Sequence, residues 1–339
     1  MRILIVCKNR IPVFAYGGTE RVVWDLGTEL AAMGHTVTFM AKPRSRSDFA
    51  QVLSFNKRQP FLPQVVEAAK LTKPDVIHFH SNPFATPAES QAFAWPYLIT
   101  AHKNLDASDW FPPNTIFISK DHARRYGGNN FVYNGLNWSQ YGRVDFSARR
   151  THLHFLGNVN WPYKNFRGAV AVACRTGARL EVMGGNRLQF KRRAKGGFRF
   201  TWQPNIRFHG QTGGEKKFRL LNGSRGFVFP VTWHEPFGLA IAESLYFGSP
   251  VFATPYGAIP ELVDETCGVL STSSETLADA TESWDRFSAE ACHVRAREHF
   301  NSAKMARGYL EFYERLMVER TLQSESPGGE AARYDLPWN

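Results

Sequence analysis

Cysteine is scarce in this sequence, and no apolar run is long. The 339 residues hold four cysteines, Cys7, Cys174, Cys267 and Cys292, far apart and without CxxC or Cys/His ligand spacing. That excludes a disulfide framework and a zinc site, and it fits a reducing compartment. No stretch reaches the roughly 18 to 20 apolar residues that a bilayer crossing requires. The opening MRILIVCKNR is interrupted by Lys8 and Arg10, so it reads as a first strand and not as a leader peptide. Internal repeats are missing at the sequence level. No GxGxxG follows the first strand, which disfavours a hydride-transferring dinucleotide enzyme. No Asp-x-Asp pair sits at the end of an expected strand, so no obligatory metal is expected.

What is present describes an ordinary folded chain: 43% apolar residues, 21% charged, 27 glycines and 19 prolines. Its length suits two domains. The formal charge of +11 favours a negatively charged partner, which leaves nucleic acid, anionic lipid and phosphorylated small molecules open.

Strand and helix patterns alternate from the start. RILIVC reads as a buried strand, TERVVWDLGTELAAMG as an amphipathic helix ending at Gly34, and HTVTFMA as the next strand. FLPQVVEAAKLT continues as helix, and PDVIHFH, PYLITAH, NTIFIS and NNFVYNG as strands. The pattern lapses at YGRVDFSARR, and a second alternating series starts at LHFLG. We therefore expect an α/β chain of two tandem doubly wound domains, residues 1–148 and 149–300. A helix over 301–320 would pack back on the first domain, and the tail 321–339, rich in turn formers, is expected to be poorly ordered. Ligands in such sheets bind at the carboxyl ends of the strands, so two facing sheets imply a cleft between them.

The stretch WHEPFGLAIAESLYFGSPV carries the most chemistry. Pro236 suits a first helical turn, and the backbone amides of Phe237, Gly238 and Leu239 then face outward at a helix N-terminus, a ready anion site. Glu243 lies further in among Leu239, Ala240, Ile241, Ala242 and Leu245; a carboxylate buried there must accept hydrogen bonds. Glu235 stands just before the helix, seven residues from Glu243.

These residues resemble the family 4 glycosyltransferases of the two-Rossmann-domain GT-B type, whose EX7E motif is similar to EPFGLAIAE. The resemblance covers nearly the whole chain. It implies a retaining transfer of sugar from a nucleotide-diphosphate donor to an acceptor hydroxyl, with Glu235 on the sugar, Glu243 on the donor ribose and the Phe237 to Leu239 amides on the diphosphate. YGGTERVV resembles the family's glycine-rich loop, so Gly17 and Gly18 would let backbone approach the donor. DVIHFHS carries His78 and His80, the former read as packing, and LITAHKN places His102 where the family sets a histidine against the donor sugar. VYNGLN resembles a motif before the second domain, with Asn137 where aspartate is usual. FLGNVNWPYKNF resembles a loop that normally holds an arginine and then a lysine: Lys164 matches the phosphate-binding lysine, but Asn158 stands at the arginine position. EVMGGN supplies Gly184 and Gly185 near the nucleobase, RFHG supplies Gly210, and Glu261 in GAIPELV reads as a helix-start residue.

The resemblance thus implies catalytic roles for His102, Glu235 and Lys164, a UDP-sugar as donor substrate, and no cofactor. The acceptor would be a glycan, a lipid-linked sugar or a small molecule, with lipopolysaccharide or polysaccharide biosynthesis as the setting. A cytoplasmic location is expected, with peripheral contact at the inner face of an anionic membrane through the basic insert RLQFKRRAKGGFRF, which holds Phe190, Lys191, Arg192, Arg193, Lys195 and Phe198. Arg124, Arg125, Arg149 and Arg150 add charge without a motif. Two other readings stand beside this one: a nucleotide-sugar epimerase of the same two-domain plan, and a basic nucleic-acid-binding protein. The latter would need a contiguous basic face with a binding module, and the basic residues here are dispersed, so no specific nucleic-acid partner is expected.

Overall fold

The first strand, β1 (Arg2–Val6), is apolar on both faces because it lies inside a parallel sheet covered on both sides. The computed structural model describes residues 1–13, 17–106, 109–187, 199–329 and 331–339. After β1 come α1 (Gly18–Ala32), β2 (Thr36–Ala41), β3 (Gln51–Ser54), α2 (Phe61–Thr72), β4 (Val76–Phe79), α3 (Pro87–Gln91), β5 (Tyr97–Ala101), β6 (Thr115–Phe117) and α4 (Lys120–Arg125). These strands form one parallel sheet in the order β3-β2-β1-β4-β5-β6. Leu4, Val6, Met40, Ile77, Phe79 and Ile99 fill one side of it together with Val65 and Ala69 of α2.

The second series runs β7 (His152–Leu156), α5 (Phe166–Arg175), β8 (Leu180–Met183), β9 (Ile206–Phe208), α6 (Gly214–Asn222), β10 (Ser224–Phe229), α7 (Leu239–Tyr246), β11 (Val251–Ala253), α8 (Ile259–Leu262), β12 (Gly268–Leu270), α9 (Ser274–Glu282) and α10 (Ala289–His299), before α11 (Ser302–Glu319). Its sheet is also parallel, in the order β12-β11-β10-β7-β8-β9. Counted from its own first strand, each sheet has the order 3-2-1-4-5-6, so the halves share a topology that no sequence repeat betrays.

The chain divides into two compact units. One holds Met1–Val13, Gly17–Asn137 and Phe300–Ala331; the other holds Trp138–His299 and Ala332–Asn339. The second unit thus begins before the polar lapse that suggested a boundary at 148. The reason is aromatic: the Trp138 ring stacks on Tyr246 of α7 at 4.3 Å and 6°, and Tyr141 meets the edge of the same ring. Helix α11 belongs to the first unit, where it packs against α1 and reaches β4 and β5.

Four elements escape periodicity: β3, β12, α3 and α4 are each six residues or shorter. NNFVYNG, expected as a strand, contributes only a single bridge from Phe131 to Phe117. Among its described residues the tail has neither helix nor strand, yet it follows a hydrogen-bonded path where little order was expected. Leu322 N donates to Asn114 Oδ1 at 2.9 Å and Gly328 N to Tyr126 O at 3.0 Å in the first unit. Leu336 N donates to Thr232 O at 2.9 Å and Asn339 N to Thr272 O at 2.9 Å in the second. No helix of the described residues is long and apolar enough to cross a membrane. The basic insert with Lys191, Arg192, Arg193 and Lys195 lies outside the described residues.

A polar core joins α11 to the first sheet. Tyr313 Oη and His78 Nδ1 are 2.7 Å apart, His78 Nε2 and Thr100 Oγ1 2.7 Å, and Thr100 Oγ1 and Tyr309 Oη 2.8 Å, all buried. Tyr313→Phe should leave His78 short of one partner and lower unfolding stability by about 1–3 kcal/mol, read from a denaturant titration with unchanged m value.

Candidate active site

Both sheets reverse their strand order between first and fourth strands, and such a reversal opens a crevice at the carboxyl ends of the two strands. In the second unit the reversal falls between β7 and β10. The segment leaving β7 carries Lys164, and the segment leaving β10 carries Glu235.

Lys164 ends a short 3-10 turn, Pro162–Lys164, and Asn165 follows it with φ 47° as the N-cap of α5. The Asn165 side chain accepts from Gly168 N at 3.0 Å and donates to Pro230 O at 2.8 Å, which ties the lysine turn to the end of β10. Lys164 Nζ donates to Glu235 Oε2 at 2.5 Å, and Trp233 Nε1 donates to the same oxygen at 2.8 Å. The ammonium also lies 4.9 Å from the centre of the Phe229 ring and 5.0 Å from that of Trp233, within cation–π range. At 8% and 7% exposure, neither Lys164 nor Glu235 would be buried cheaply alone; together they neutralise one another. The backbone of Glu235 is clamped as well: Ala258 N donates to Glu235 O at 2.8 Å, and a Cβ on Gly257, at φ 67°, would stand 2.3 Å from that oxygen.

Two residues beyond, Phe237 is buried and Gly238, at φ 99°, caps α7 without any side-chain cap, and the first bond of the helix runs from Ile241 N to Gly238 O at 2.8 Å. Glu243, 4% exposed, does not await an outside partner. Its Oε1 accepts from Lys217 Nζ of α6 at 2.5 Å and from Tyr141 Oη at 2.7 Å. The hydrogen bonds that burial of this acid requires come from within the chain, where an internal lysine answers its charge. Deeper still, His154 lies between Ser224 and Ser244, its nitrogens 2.6 and 2.8 Å from their hydroxyls, and burial pushes its pKa well below the usual imidazole range.

The remaining positions in this unit are shaped by backbone. Gly184, at φ 126°, follows β8, and a Cβ there would stand 2.1 Å from Gly157 O; one on Gly185 would stand 2.2 Å from a Val159 methyl. These glycines let the ends of β7 and β8 touch, with Gly184 N donating to Gly210 O at 2.7 Å. Asn158 is not a substitute cation; its Oδ1 accepts from Asn160 N at 3.0 Å, shaping the turn. Glu261 lies in the first turn of α8. Arg150, which had no motif, is buried and donates to Ser224 O and Phe247 O, joining β10 to the end of α7.

In the first unit the reversal lies between β1 and β4. Gly17 caps α1, whose first residue is Gly18, and a Cβ on Gly17 would meet the Glu20 carboxylate at 2.7 Å. An acid at that helix start opposes a phosphate there and suits a neutral hydroxyl better. His80 and His102 follow the ends of β4 and β5, with His80 Nδ1 2.8 Å from His102 Nε2 and their rings stacked. His78 stacks on His80 at 4.2 Å. Burial holds His78 and His80 well below the ordinary histidine pKa and lowers that of His102 to about 4, so the row is neutral at pH 7. Among the described residues no group of three or more His, Cys, Asp or Glu is arranged to hold a metal ion.

Trp233, Tyr141 and Lys217 were not singled out from sequence. Lys217 had a signal: it falls four residues before Leu221 on the buried stripe of α6. Trp233 and Tyr141 are paired through the fold and had none.

Two doubly wound units, each with its polar residues at the reversal, define a GT-B-type α/β protein. The chain belongs to the family 4 glycosyltransferases: a model described as Glycosyltransferase Family 4 matches residues 16–153, and one described as Glycosyl transferases group 1 matches residues 150–284. It is accordingly a transferase enzyme. Its sequence is 24% identical over 262 residues to D-rhamnosyltransferase WbpZ of Pseudomonas aeruginosa, an alignment covering 73% of this chain and 66% of that protein's length. In fold it is similar to AviGT4, a glycosyltransferase involved in avilamycin A biosynthesis, with a TM-score of 0.75 at 19% identity over 96% of this chain and 99% of that one. It is also similar to Anabaena Alr3699/HepE in complex with UDP and glucose, with a TM-score of 0.69 at 17% identity over 93% and 100% of the two chains.

Two measurements check these electrostatics. Lys217→Met should cost about 3–5 kcal/mol, because it leaves a charge buried without its partner, and adding Glu243→Gln should recover most of that loss in a double-mutant cycle. Acid titration should weaken the fold from about pH 6.5 downward. Unfolded histidines take up protons there, whereas folded His102 resists until about 4 and His78 and His80 resist further, so the unfolded state gains protons first.

Proposed function

We propose that the protein is a retaining glycosyltransferase that moves a sugar from a nucleoside-diphosphate sugar, most simply a UDP-sugar, to an acceptor hydroxyl in cell-envelope polysaccharide or lipopolysaccharide biosynthesis. The observation that carries this reading is the Lys164–Glu235 pair at the β7/β10 reversal, beside the uncapped start of α7. A diphosphate suits that place, since helix amides and an ammonium both favour the charge that builds as it departs. Glu235 is assigned to hydroxyls of the transferred sugar and Glu243 to the donor ribose, with Lys217 and Tyr141 holding the Glu243 carboxylate in place. His102, kept neutral, is assigned to the sugar as a hydrogen-bonding group and not as an acid. Gly17 and Gly18 are assigned to donor contact, and Gly184 and Gly185 to shaping the loops around the base.

In the reaction the bond from the anomeric carbon to the phosphate oxygen breaks, and a bond to the acceptor oxygen forms on the same face. The acceptor proton passes to the departing diphosphate. No cofactor takes part in this scheme, and the protein supplies position and charge. The D-rhamnosyltransferase relative and the UDP- and glucose-bound fold neighbour favour a sugar nucleotide as donor, while the acceptor class follows from the resemblance.

A thermal-shift panel of UDP-, GDP-, ADP- and TDP-sugars tests the donor. One nucleotide class should raise the melting temperature in proportion to the logarithm of its concentration. Glu243→Ala should weaken that ligand about 10- to 100-fold, a loss of ~1.4–2.8 kcal/mol. The product's anomeric configuration, read by NMR, should match the donor's. Unchanged affinity in Glu243→Ala, or an inverted product, would refute the assignment.

A further inference from the structure

Residues 332–339 return to the second unit at one particular place. Thr232 lies three residues past the end of β10 and three before Glu235, and its backbone is bonded on both sides. Its N donates to Tyr163 O at 2.9 Å, which joins it to the lysine turn, and its O accepts from Leu336 N at 2.9 Å. Thr232 Oγ1 donates to Tyr334 O at 3.1 Å. The segment is fastened further along by Tyr256 Oη to Pro337 O at 2.7 Å, and by Asn339, which exchanges backbone bonds with Thr272 and Ser274 at 2.9 and 2.6 Å.

The Tyr334 ring completes an aromatic stack. It lies 5.9 Å from Trp233 with 17° between the planes, and 5.1 Å from Tyr163, which itself lies 4.3 Å from Trp233. Trp233 is the residue whose indole N-H holds Glu235 Oε2 and whose face lies below the Lys164 ammonium. The contacts with Thr232, Trp233 and Tyr163 fall on residues adjacent in chain or space to the Lys164–Glu235 pair, and those with Tyr256, Thr272 and Ser274 anchor the segment elsewhere in the second unit. Apart from this segment, those loops are secured by the Asn165 bond to Pro230, the Thr232 bond to Tyr163 and the Glu235 pairing with Gly257.

We propose that residues 332–339 form a positioning strap for the Lys164–Glu235 pair, with Tyr334 the residue that sets the Trp233 indole. The ring of Tyr334, and not its hydroxyl, supplies the surface against which the indole lies. Removing it lets the indole rotate, which lengthens the bond to Glu235 and takes the aromatic face away from the ammonium. Substrate binding needs the pair to be present, whereas charge development on the leaving group needs it in register, so the loss falls on turnover. The inference rests on the proposed reading of the pair as donor-site machinery.

The test uses full-length Tyr334→Ala, Tyr334→Phe and Leu336→Pro, the last removing the N-H that pairs with Thr232. Two readouts are taken: steady-state kinetics with the UDP-sugar, and amide exchange at Thr232 and along residues 161–165. Tyr334→Ala and Leu336→Pro should lower kcat about tenfold with donor KM within about twofold. Exchange at Thr232 should rise about tenfold while exchange in β4 and β5 stays as in the parent protein. Tyr334→Phe should restore both readouts, which a mere loss of tail hydrogen bonding would not predict. The proposal is overturned if Thr232 exchange is unmoved in Tyr334→Ala, or if exchange rises with kcat unchanged. A parallel Glu235→Gln variant separates the two readings. If it keeps full turnover, the reading of the pair as donor-site machinery falls, while the exchange arm still decides whether the segment holds the loop.

Discussion

A carboxylate can be buried only where something answers its charge, and two such answers hold the EPFGLAIAE stretch of the second unit. Glu235 is met by Lys164 from the turn after β7, and Glu243 by Lys217 from α6. Each pair links separate stretches of chain, so each constrains where a loop or helix must lie. The loop after β7 and the loop after β10 are brought to one point by the first pair. Helix α7 is locked to α6 by the second. Buried pairs of this kind contribute little net stability, but they are unforgiving about register. What they secure is the geometry at the reversal of strand order.

That geometry also explains the distribution of positive charge. With a net charge of +11, the chain has cations to spare, and several of them face inward in the described structure. Lys164, Lys217 and Arg150 are all buried, and Arg125 is taken up by Asp121 and Asn104. The site is therefore neutral and ordered before any anion arrives. On the proposed reading, a diphosphate donor would gain from helix amides and from a lysine whose position is already set, the arrangement that spares reorganisation during reaction.

Much of this was legible in sequence, for a physical reason. Continuous apolar strands and amphipathic helices reported the two doubly wound sheets, since each must cover both faces of a parallel sheet. The EPFGLAIAE stretch identified both glutamates and the helix start between them. The partners of those glutamates were less legible. Lys217 and Tyr141 lie 26 and 102 residues from Glu243, and nothing in local periodicity encodes such pairings. The tail misled for the converse reason: low apolar periodicity reports an absence of helix and strand, not an absence of backbone bonds. Arg150 shows the same limit, because a cation written among polar neighbours at the lapse is buried in the fold.

The turn at Asn158 bears on how the departure from the family's arginine is maintained. Its side chain is consumed by Asn160 N, and its carbonyl accepts from Trp161 N at 3.1 Å, one residue before the turn that delivers Lys164. An arginine at 158 adds a cation and at once deletes the acceptor that bends the chain toward the lysine. The two effects oppose each other, so a second cation in this loop requires a compensating acceptor for Asn160 N as well as the arginine. The obstacle to a second cation here is therefore one of geometry and not of electrostatics.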